Sequence, residues 1–259
     1  MMIRLARNEL FKMLRLRKMG IFMFILVLNA IITVYYYQLD GNVKTVIVTP
    51  NGQSLPLTFI YGMAQFMTIF IPVYVTDIIT EEYRKGTLKL SLLRPVSRVE
   101  WLHAKIAALL FFIAILVGFA VLSSYAVGIA ALGWGDHTGY GGASYLPGAG
   151  VWLTLKLYAL MILPYMACGM IVMWIAICCN SMSAALVISI GLLNAAQYLN
   201  AFEEIKPYSI VNQMYFYHES VGQNRLGEPA IQSTVVILIY LIVFYMLSVQ
   251  SIKRKDLVL

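Results

Sequence analysis

Residues 106–132 read IAALLFFIAILVGFAVLSSYAVGIAAL and contain no charged side chain. A helix needs about 20 mainly apolar residues to cross the hydrocarbon core of a bilayer, and this stretch exceeds that length. The rest of the chain is similar, because 61% of its 259 residues are hydrophobic and only 12% are charged. A soluble domain carries about a quarter charged residues. The composition therefore excludes a soluble enzyme, a disordered chain and a fibrous repeat, and indicates a polytopic membrane protein.

Five further segments are apolar over the length of a membrane crossing. The six predicted spans are 20–38, 57–79, 104–132, 151–178, 183–201 and 231–251. The first span is followed by tyrosines rather than the small residues of a signal-peptide cleavage site, so we expect it to be retained. Spans three and four are long enough to require tilting. Pro72 and Pro164 are expected to kink spans two and four. The predicted fold is an all-α bundle of six transmembrane helices.

Basic residues predict the orientation of this bundle. Fifteen of the 19 Lys and Arg residues lie in the N-terminal segment, the loop between spans two and three, and the C-terminus. Because cytoplasmic loops of membrane proteins are enriched in Lys and Arg, we expect both termini in the cytoplasm of a plasma-membrane protein. The predicted outer segments are acidic. The simplest explanation is the membrane topology, and the alternative is that these residues attract cationic substrates at the exit. Those acidic residues are Asp40, Asp136, Glu203, Glu204, Glu219 and Glu228.

The N-terminal segment 2–18 has the periodicity of an amphipathic helix. Its apolar face consists of Met2, Ile3, Ala6, Leu10, Met13 and Leu14. Its polar face consists of Arg4, Arg7, Asn8, Lys12, Arg15 and Lys18. This pattern predicts a cytoplasmic interfacial helix over 1–19 with its basic face toward anionic lipid. The alternative is that these charges serve only the orientation of the first span.

The loop between spans two and three carries the most informative motif. Residues 80–98 read TEEYRKGTLKLSLLRPVSR, which is too charged to span a membrane. Leu88, Leu92 and Leu93 supply a short apolar helical face, and Pro95 ends the helix. Such a helix could dock into a groove on a soluble partner or lie on the membrane, and the residues alone favour neither.

This stretch resembles the signature of ABC-2 type permeases, the membrane subunits of one class of ABC exporter. Those proteins carry an acidic residue after span two, then Gly-Thr-Leu, then Arg-Pro-x-Ser-Arg, then a Lys at the start of span three. The matching residues here are Glu81, Glu82, Gly86, Thr87, Leu88, Arg94, Pro95, Ser97, Arg98 and Lys105. The span count, the predicted termini and the chain length extend the resemblance to the whole chain. The family often has two short apolar helices between spans five and six, and segment 202–230 shows no such clear pair.

The resemblance implies a coupling helix at about 82–93, seated in a cleft of a separate ATP-binding subunit. The implied coupling residues are Glu81, Glu82, Gly86, Thr87, Leu88, Leu92, Arg94, Pro95 and Arg98. ATP and Mg would bind that partner, since the chain has no Gly-x-x-x-x-Gly-Lys-Ser/Thr sequence. Two permease copies, identical or different, would export an amphipathic or hydrophobic compound. An antimicrobial peptide is the first expectation for this cargo, and a lipid or drug the second.

Polar but uncharged residues are scattered through the predicted spans. They are Asn29, Gln65, Ser123, Ser124, Asn194 and Gln197. They are expected to bond across helices, with a translocation path as the alternative. Asp77 is expected at the inner interface, so no ionisable group marks an ion-coupled carrier. A stripe of small residues in span five suits helix packing or a dimer seam, and consists of Ser181, Ala185, Ser189 and Gly191.

Other function classes find less support in the sequence. An intramembrane protease would need two carboxylates and two histidines converging on a water. Glu81 and Glu82 are on the predicted inner side, whereas His137 and His218 are expected in outer loops, with His137 solvated in a flexible linker over 133–150. Three cysteines match no metal-ligand spacing, and no nucleic-acid partner is expected. A membrane sensor that recognises a ligand without transporting it is the remaining alternative.

Overall fold

The computed structural model describes residues 11, 17–40, 51–84, 97–179, 181–222 and 228–254. In this part of the chain there are seven α-helices and one β-hairpin. The helices are α1 (Arg17–Asp40), α2 (Leu55–Arg84), α3 (Arg98–Leu132), α4 (Pro147–Cys178), α5 (Met182–Tyr198), α6 (Ile210–Gly222) and α7 (Glu228–Arg254). The hairpin strands are β1 (Thr138–Tyr140) and β2 (Ala143–Tyr145), and two 3-10 turns, Leu199–Ala201 and Lys206–Tyr208, precede α6.

Six of these helices are long and apolar enough to cross a membrane, and α6 is the exception. Their order and approximate bounds confirm the six predicted spans, so the chain is a multi-pass membrane protein. Helices α3 and α4 have 35 and 32 residues, which is longer than predicted and well above the length of a perpendicular crossing. Pro72 and Pro164 both lie inside continuous helices. Most of the predicted interfacial helix and of the predicted coupling helix lies outside the described residues.

Helix α4 is the centre of the bundle and packs against α2, α3, α6 and α7. A helix that is apolar all round must bury its whole circumference in protein or lipid, and α4 is the most buried of the six candidate spans. Gly169 permits a close crossing with α3, because an added Cβ would lie 2.5 Å from Leu109. Stacked rings join other helices, with centroids 4.3 Å apart for Phe22 and Phe70 and 3.9 Å apart for Tyr74 and Phe112. Helices α1, α5 and α7 lie at the periphery.

The two ends of the bundle differ in what they carry. The end that holds residues 51–54, the hairpin and the start of α7 is called the hairpin end. The opposite end, called the terminal end, holds the beginning of α1 and the end of α7. Cys178, at the end of α4, lies there with its sulfur 3.9 Å from the hydroxyl of Ser251.

The segment 133–150 was expected to be a flexible linker, and that expectation is wrong. It forms the hairpin, in which Thr138 pairs with Tyr145 and Tyr140 pairs with Ala143. Gly141 and Gly142 form its two-residue turn with φ of 60° and 80°. A tight hairpin turn of this kind requires positive φ at both central residues, which glycine adopts without strain. Gly141 and Gly142 therefore form the turn of a hairpin.

The residues before α2 hold this hairpin in place through five hydrogen bonds. The side chain of Asn51 donates to the carbonyl of His137, and that of Gln53 donates to the carbonyl of Gly135. The remaining three bonds are Gly52 N to Gly133 O at 2.8 Å, Thr138 Oγ1 to Gln53 Oε1 at 2.9 Å and Gly139 N to Ser54 Oγ at 3.0 Å. His137 is exposed, as predicted. The start of α2 and the end of α3 are thus fastened together.

Candidate functional site

The predicted coupling residues lie around the gap between α2 and α3. Glu81 and Glu82 are in the last turn of α2, and Arg98 is the first residue of α3. The other six predicted coupling residues lie outside the described residues, and they are Gly86, Thr87, Leu88, Leu92, Arg94 and Pro95. The structure therefore describes the two ends of the predicted coupling loop.

The start of α3 is fixed by a capping box. Ser97 Oγ accepts from the backbone N–H of Glu100 at 3.1 Å, and the Glu100 carboxylate accepts from the N–H of Ser97 at 2.9 Å. The guanidinium of Arg98 donates to the backbone carbonyls of Ile252 and Lys253, at 3.2 and 3.1 Å. These carbonyls belong to the last turn of α7, where helices leave carbonyls without intrahelical partners. The Ser-x-x-Glu spacing is the known sequence signature of such a cap and could have predicted it, whereas nothing in the sequence indicates the bond to α7.

Two further contacts connect the helices at the terminal end. Lys18 and Asp77 form an ion pair at 2.9 Å between α1 and α2, in which the Asp77 side chain is only 12% exposed. His103 and Tyr245 form a hydrogen bond at 2.8 Å between α3 and α7. The helix that enters the predicted coupling loop is therefore tied to α1, and the helix that leaves the loop is tied to α7.

The polar residues noted within the spans differ in their hydrogen-bond partners. Ser123, Ser124 and Asn194 each donate to a carbonyl three or four residues earlier in their own helix. Asn29 lies against Gly62 of α2, where an added Cβ would be 2.8 Å from Asn29 Oδ1.

The amide of Gln197 finds no hydrogen-bond partner among the described residues. Gln65 accepts from the hydroxyl of Tyr215 in α6. Gln65 thus bonds to another helix, as expected for the polar residues of the spans.

A second bond of the same kind lies one turn away. Tyr61 of α2 donates its phenolic hydrogen to the carboxylate of Glu219 in α6. Positions 61 and 65 are one turn apart on α2, and positions 215 and 219 are one turn apart on α6, so the two bonds form successive rungs between antiparallel helices. The sequence reasoning missed this pairing, because segment 202–230 showed no clear helical pattern.

Helix α6 begins at mid-height of the bundle rather than at its edge. The carbonyl of Tyr208, just before α6, accepts from the hydroxyl of Tyr240 at 3.2 Å. Tyr240 is about twelve residues into α7, a rise of about 18 Å from the hairpin end. Further along, the hydroxyls of Tyr217 and Thr234 are 3.1 Å apart, so α6 rises toward the hairpin end. The chain therefore enters the bundle between spans five and six and returns.

His218 was expected in an outer loop, and that expectation is wrong. It lies in α6, fully buried, with its ring centroid 5.0 Å from that of Tyr61 and 6.3 Å from that of Tyr140. In the part of the chain that the structure describes, neither ring nitrogen makes a hydrogen bond of ordinary geometry, although the backbone carbonyl of Tyr215 interacts with the ring. Burial lowers the pKa of His218 to about 4, although the backbone carbonyl of Tyr215 partly opposes this. The imidazole is therefore neutral at pH 7.

A known protein family matches most of this chain. A family model described as "Protein of unknown function (DUF2705)" matches residues 21–258, which include all of the six candidate spans except the first four residues of the first. The chain belongs to the DUF2705 family. No curated protein matches the DUF2705 chain. Since the family description names no activity, the function must be argued from the contacts described above.

The rungs and the buried histidine of the DUF2705 chain make one continuous site, called here the α2–α6 site. It comprises Tyr61, Gln65, Tyr215, Phe216, His218 and Glu219. Glu219 is partly exposed, and its carboxylate adds to the effect of burial in raising the pKa of Tyr140. Among the described residues no three His, Cys, Asp or Glu side chains are grouped to hold a metal ion. The site instead combines one negative charge with aromatic rings and a neutral imidazole.

Proposed function

We propose that the DUF2705 chain is the permease subunit of an ATP-driven ABC exporter, energised by a separate ATP-binding subunit. The observation that carries this proposal is the set of contacts at both ends of the loop with the ABC-2-like motif. Arg98, the last residue of that motif, donates to the end of α7, and Asp77, before the loop, pairs with Lys18. A force applied to residues 85–96 would thus act on four helices at once.

The proposed exporter works as a dimer of permease subunits with two ATP-binding subunits in the plasma membrane. Both termini and the loop at 85–96 face the cytoplasm, where the partner would reach them. ATP and Mg bind the partner, and this chain contributes the coupling residues Glu81, Glu82, Gly86, Thr87, Leu88, Leu92, Arg94, Pro95 and Arg98. The cargo is an amphipathic or hydrophobic compound, such as an antimicrobial peptide, a lipid or a drug.

Transmission of the movement follows from the contacts at the two ends of the bundle. At the hairpin end, α2 and α3 are fastened to each other through Asn51, Gln53 and the hairpin. At the terminal end, the same two helices are tied to different neighbours, α1 and α7. Closure of the ATP-binding subunits would therefore pivot α2 and α3 about their joined ends and move α1 and α7 with them.

The test is to replace Leu88 and Leu92 with Asp in the full chain and co-purify it with its Walker-type ATP-binding subunit. The charged face should abolish co-purification and the stimulation of ATPase activity, because the coupling helix could no longer seat its apolar side. The matched control is Ser144→Asp, which places a charge on an exposed position of the hairpin. If the double variant still binds and stimulates the ATPase as the control does, the coupling proposal is wrong.

A second measurement separates the exporter from a non-transporting sensor. Inside-out vesicles that contain both subunits are supplied with ATP, and uptake of a fluorescent amphipathic compound is followed. An exporter accumulates the compound only when ATP is hydrolysed. A sensor would show ligand-stimulated ATPase activity without accumulation.

A further inference from the structure

The carboxylate of Glu219 has an unusual position for a charged group. It lies in α6, level with Tyr61, which is about six residues beyond the start of α2. Six residues of helix span about 9 Å, so Tyr61 and the adjacent Glu219 lie about 9 Å from the hairpin end of α2. The side chain is partly exposed, and its carboxylate accepts a hydrogen bond from the hydroxyl of Tyr61. An ionisable side chain inside a membrane bundle is costly to bury, and it is therefore a candidate for a functional site.

Aromatic side chains surround this carboxylate on two helices. The ring of Tyr61 lies 6.0 Å from that of Phe216 in an edge-on arrangement, and the ring of Tyr215 lies 6.2 Å from that of Phe216. Phe216 is 40% exposed and therefore presents part of its ring outward. Aromatic faces attract cations when the charge approaches within about 6 Å of the ring centre. Rings beside a carboxylate favour a cation over a neutral or anionic group.

His218 lies behind Tyr61 in the same site. Its ring is fully buried, and its centroid is 5.0 Å from that of Tyr61. Burial lowers the pKa of this ring, so the neutral imidazole adds no positive charge that would repel a bound cation.

We propose that the α2–α6 site binds a protonated amine carried on an apolar body. Glu219 supplies the opposite charge, and the rings of Tyr61 and Phe216 supply cation–π contacts. The exposed part of the Phe216 ring offers contact to the apolar body. That this amine is the exported cargo rests on the proposed function, whereas the binding does not.

Binding is measured on the purified full chain in detergent, without any ATP-binding subunit, by isothermal titration calorimetry. The probe is phenylethylammonium, and the neutral comparison is 2-phenylethanol, which has the same apolar body and no charge. The wild-type chain should bind the ammonium at least about tenfold more tightly than the alcohol. Equal affinity for the two compounds, or no binding of the ammonium, would overturn the proposal, whatever the outcome of the ATPase experiment.

Two variants locate the site. Glu219→Gln keeps the size of the side chain and an acceptor for Tyr61 but removes the charge, so it should weaken ammonium binding about tenfold or more. The matched control is Glu228→Gln, which removes a carboxylate from an exposed position at the start of α7 and should leave binding unchanged. Circular dichroism shows that each variant is folded. Undiminished binding by folded Glu219→Gln would place any amine site elsewhere and refute the assignment.

The same ammonium chemistry occurs in soluble amines and in the headgroup of phosphatidylethanolamine. The titration is therefore repeated in nanodiscs of phosphatidylcholine alone and in nanodiscs containing phosphatidylethanolamine. Competition by phosphatidylethanolamine, seen as weaker binding of the probe, assigns the site to a lipid headgroup. Equal affinity in both kinds of nanodisc assigns it to a soluble amine.

Discussion

Tyr61 in α2 donates a hydrogen bond to Glu219 in α6, across a separation of 158 residues in the sequence. This bond fastens a short helix that does not span the membrane to one that does. It also provides a partner for a carboxylate on the helix that enters the bundle between spans five and six. The α2–α6 site depends on this contact, as does the position of His218 behind it.

The first prediction concerns that hydrogen bond. Tyr61→Phe removes the hydroxyl donor and leaves the partly buried Glu219 carboxylate without this hydrogen bond. The free energy of unfolding should therefore fall by about 1–3 kcal/mol. Thermal unfolding of the purified chain in detergent measures the change. Tyr198→Phe, at a 79% exposed tyrosine, is the control and should have little effect. A double-mutant cycle with Glu219→Ala, which removes the acceptor, should give a coupling energy well above zero, and additive effects would contradict the bond.

The second prediction concerns the ion pair of Lys18 and Asp77. Asp77→Asn leaves Lys18 without its counter-charge, and the chain should lose on the order of 1 kcal/mol, since the lysine side chain is 40% exposed and solvent screens the pair. The exchanged pair Lys18→Asp with Asp77→Lys should recover part of the loss. Thermal unfolding at low and high salt measures both effects. A loss that is not recovered by the exchange would mean that Asp77 acts through other contacts.

The third prediction tests the packing of the hairpin on α4. At Gly150 an added Cβ would lie 2.0 Å from the hydroxyl oxygen of Thr138, so Gly150→Ala should destabilise the chain by more than about 2 kcal/mol. Gly148, two positions from it in the same turn of α4, has no atom within 4 Å of an added Cβ. Gly148→Ala should therefore be neutral or stabilising by up to about 1 kcal/mol. Comparable midpoints for the two variants in thermal unfolding would disprove this packing.

The fourth prediction is a dependence of stability on pH. The folded-state pKa of His218 is about 4, below the ordinary value of 6.5, because burial disfavours the charged ring. The unfolded chain therefore binds more protons between pH 4 and 6.5, and stability falls as the pH is lowered through this window, by up to about 1.4 kcal/mol per pH unit. Above pH 6.5 this contribution is constant.

The measurement for the fourth prediction is chemical unfolding of the wild-type chain and of His218→Gln at several pH values. The difference in slope between pH 4 and 6.5 isolates the contribution of this one ring. His137→Gln, which changes an exposed histidine, serves as the control and should keep the wild-type slope. A slope in His218→Gln equal to that of the wild-type chain would show that the ring is not buried as described.

Periodicity and composition determined the membrane-spanning part of this protein. A run such as 106–132 can be stable only as a helix in lipid, because each unpaired backbone group there would cost several kcal/mol. This holds for each span separately, which is why all six are evident before any contact is known. Asp77 near one end of a span and the exposed His137 followed from the same local reasoning.

Tertiary structure alone decided the hairpin, α6 and the site around Glu219. The glycines at 141 and 142 are equally compatible with a flexible linker, and hydrogen bonds from residues 51–54, more than 80 residues earlier, hold them as a hairpin. Segment 210–222 is too polar to be recognised as a membrane helix, and it is stabilised there because Gln65, Tyr61 and Thr234 provide its partners. Burial of His218 likewise depends on Tyr61 and Tyr140 from two other elements. Pairings between distant residues carry no local pattern, so only the folded bundle reveals them.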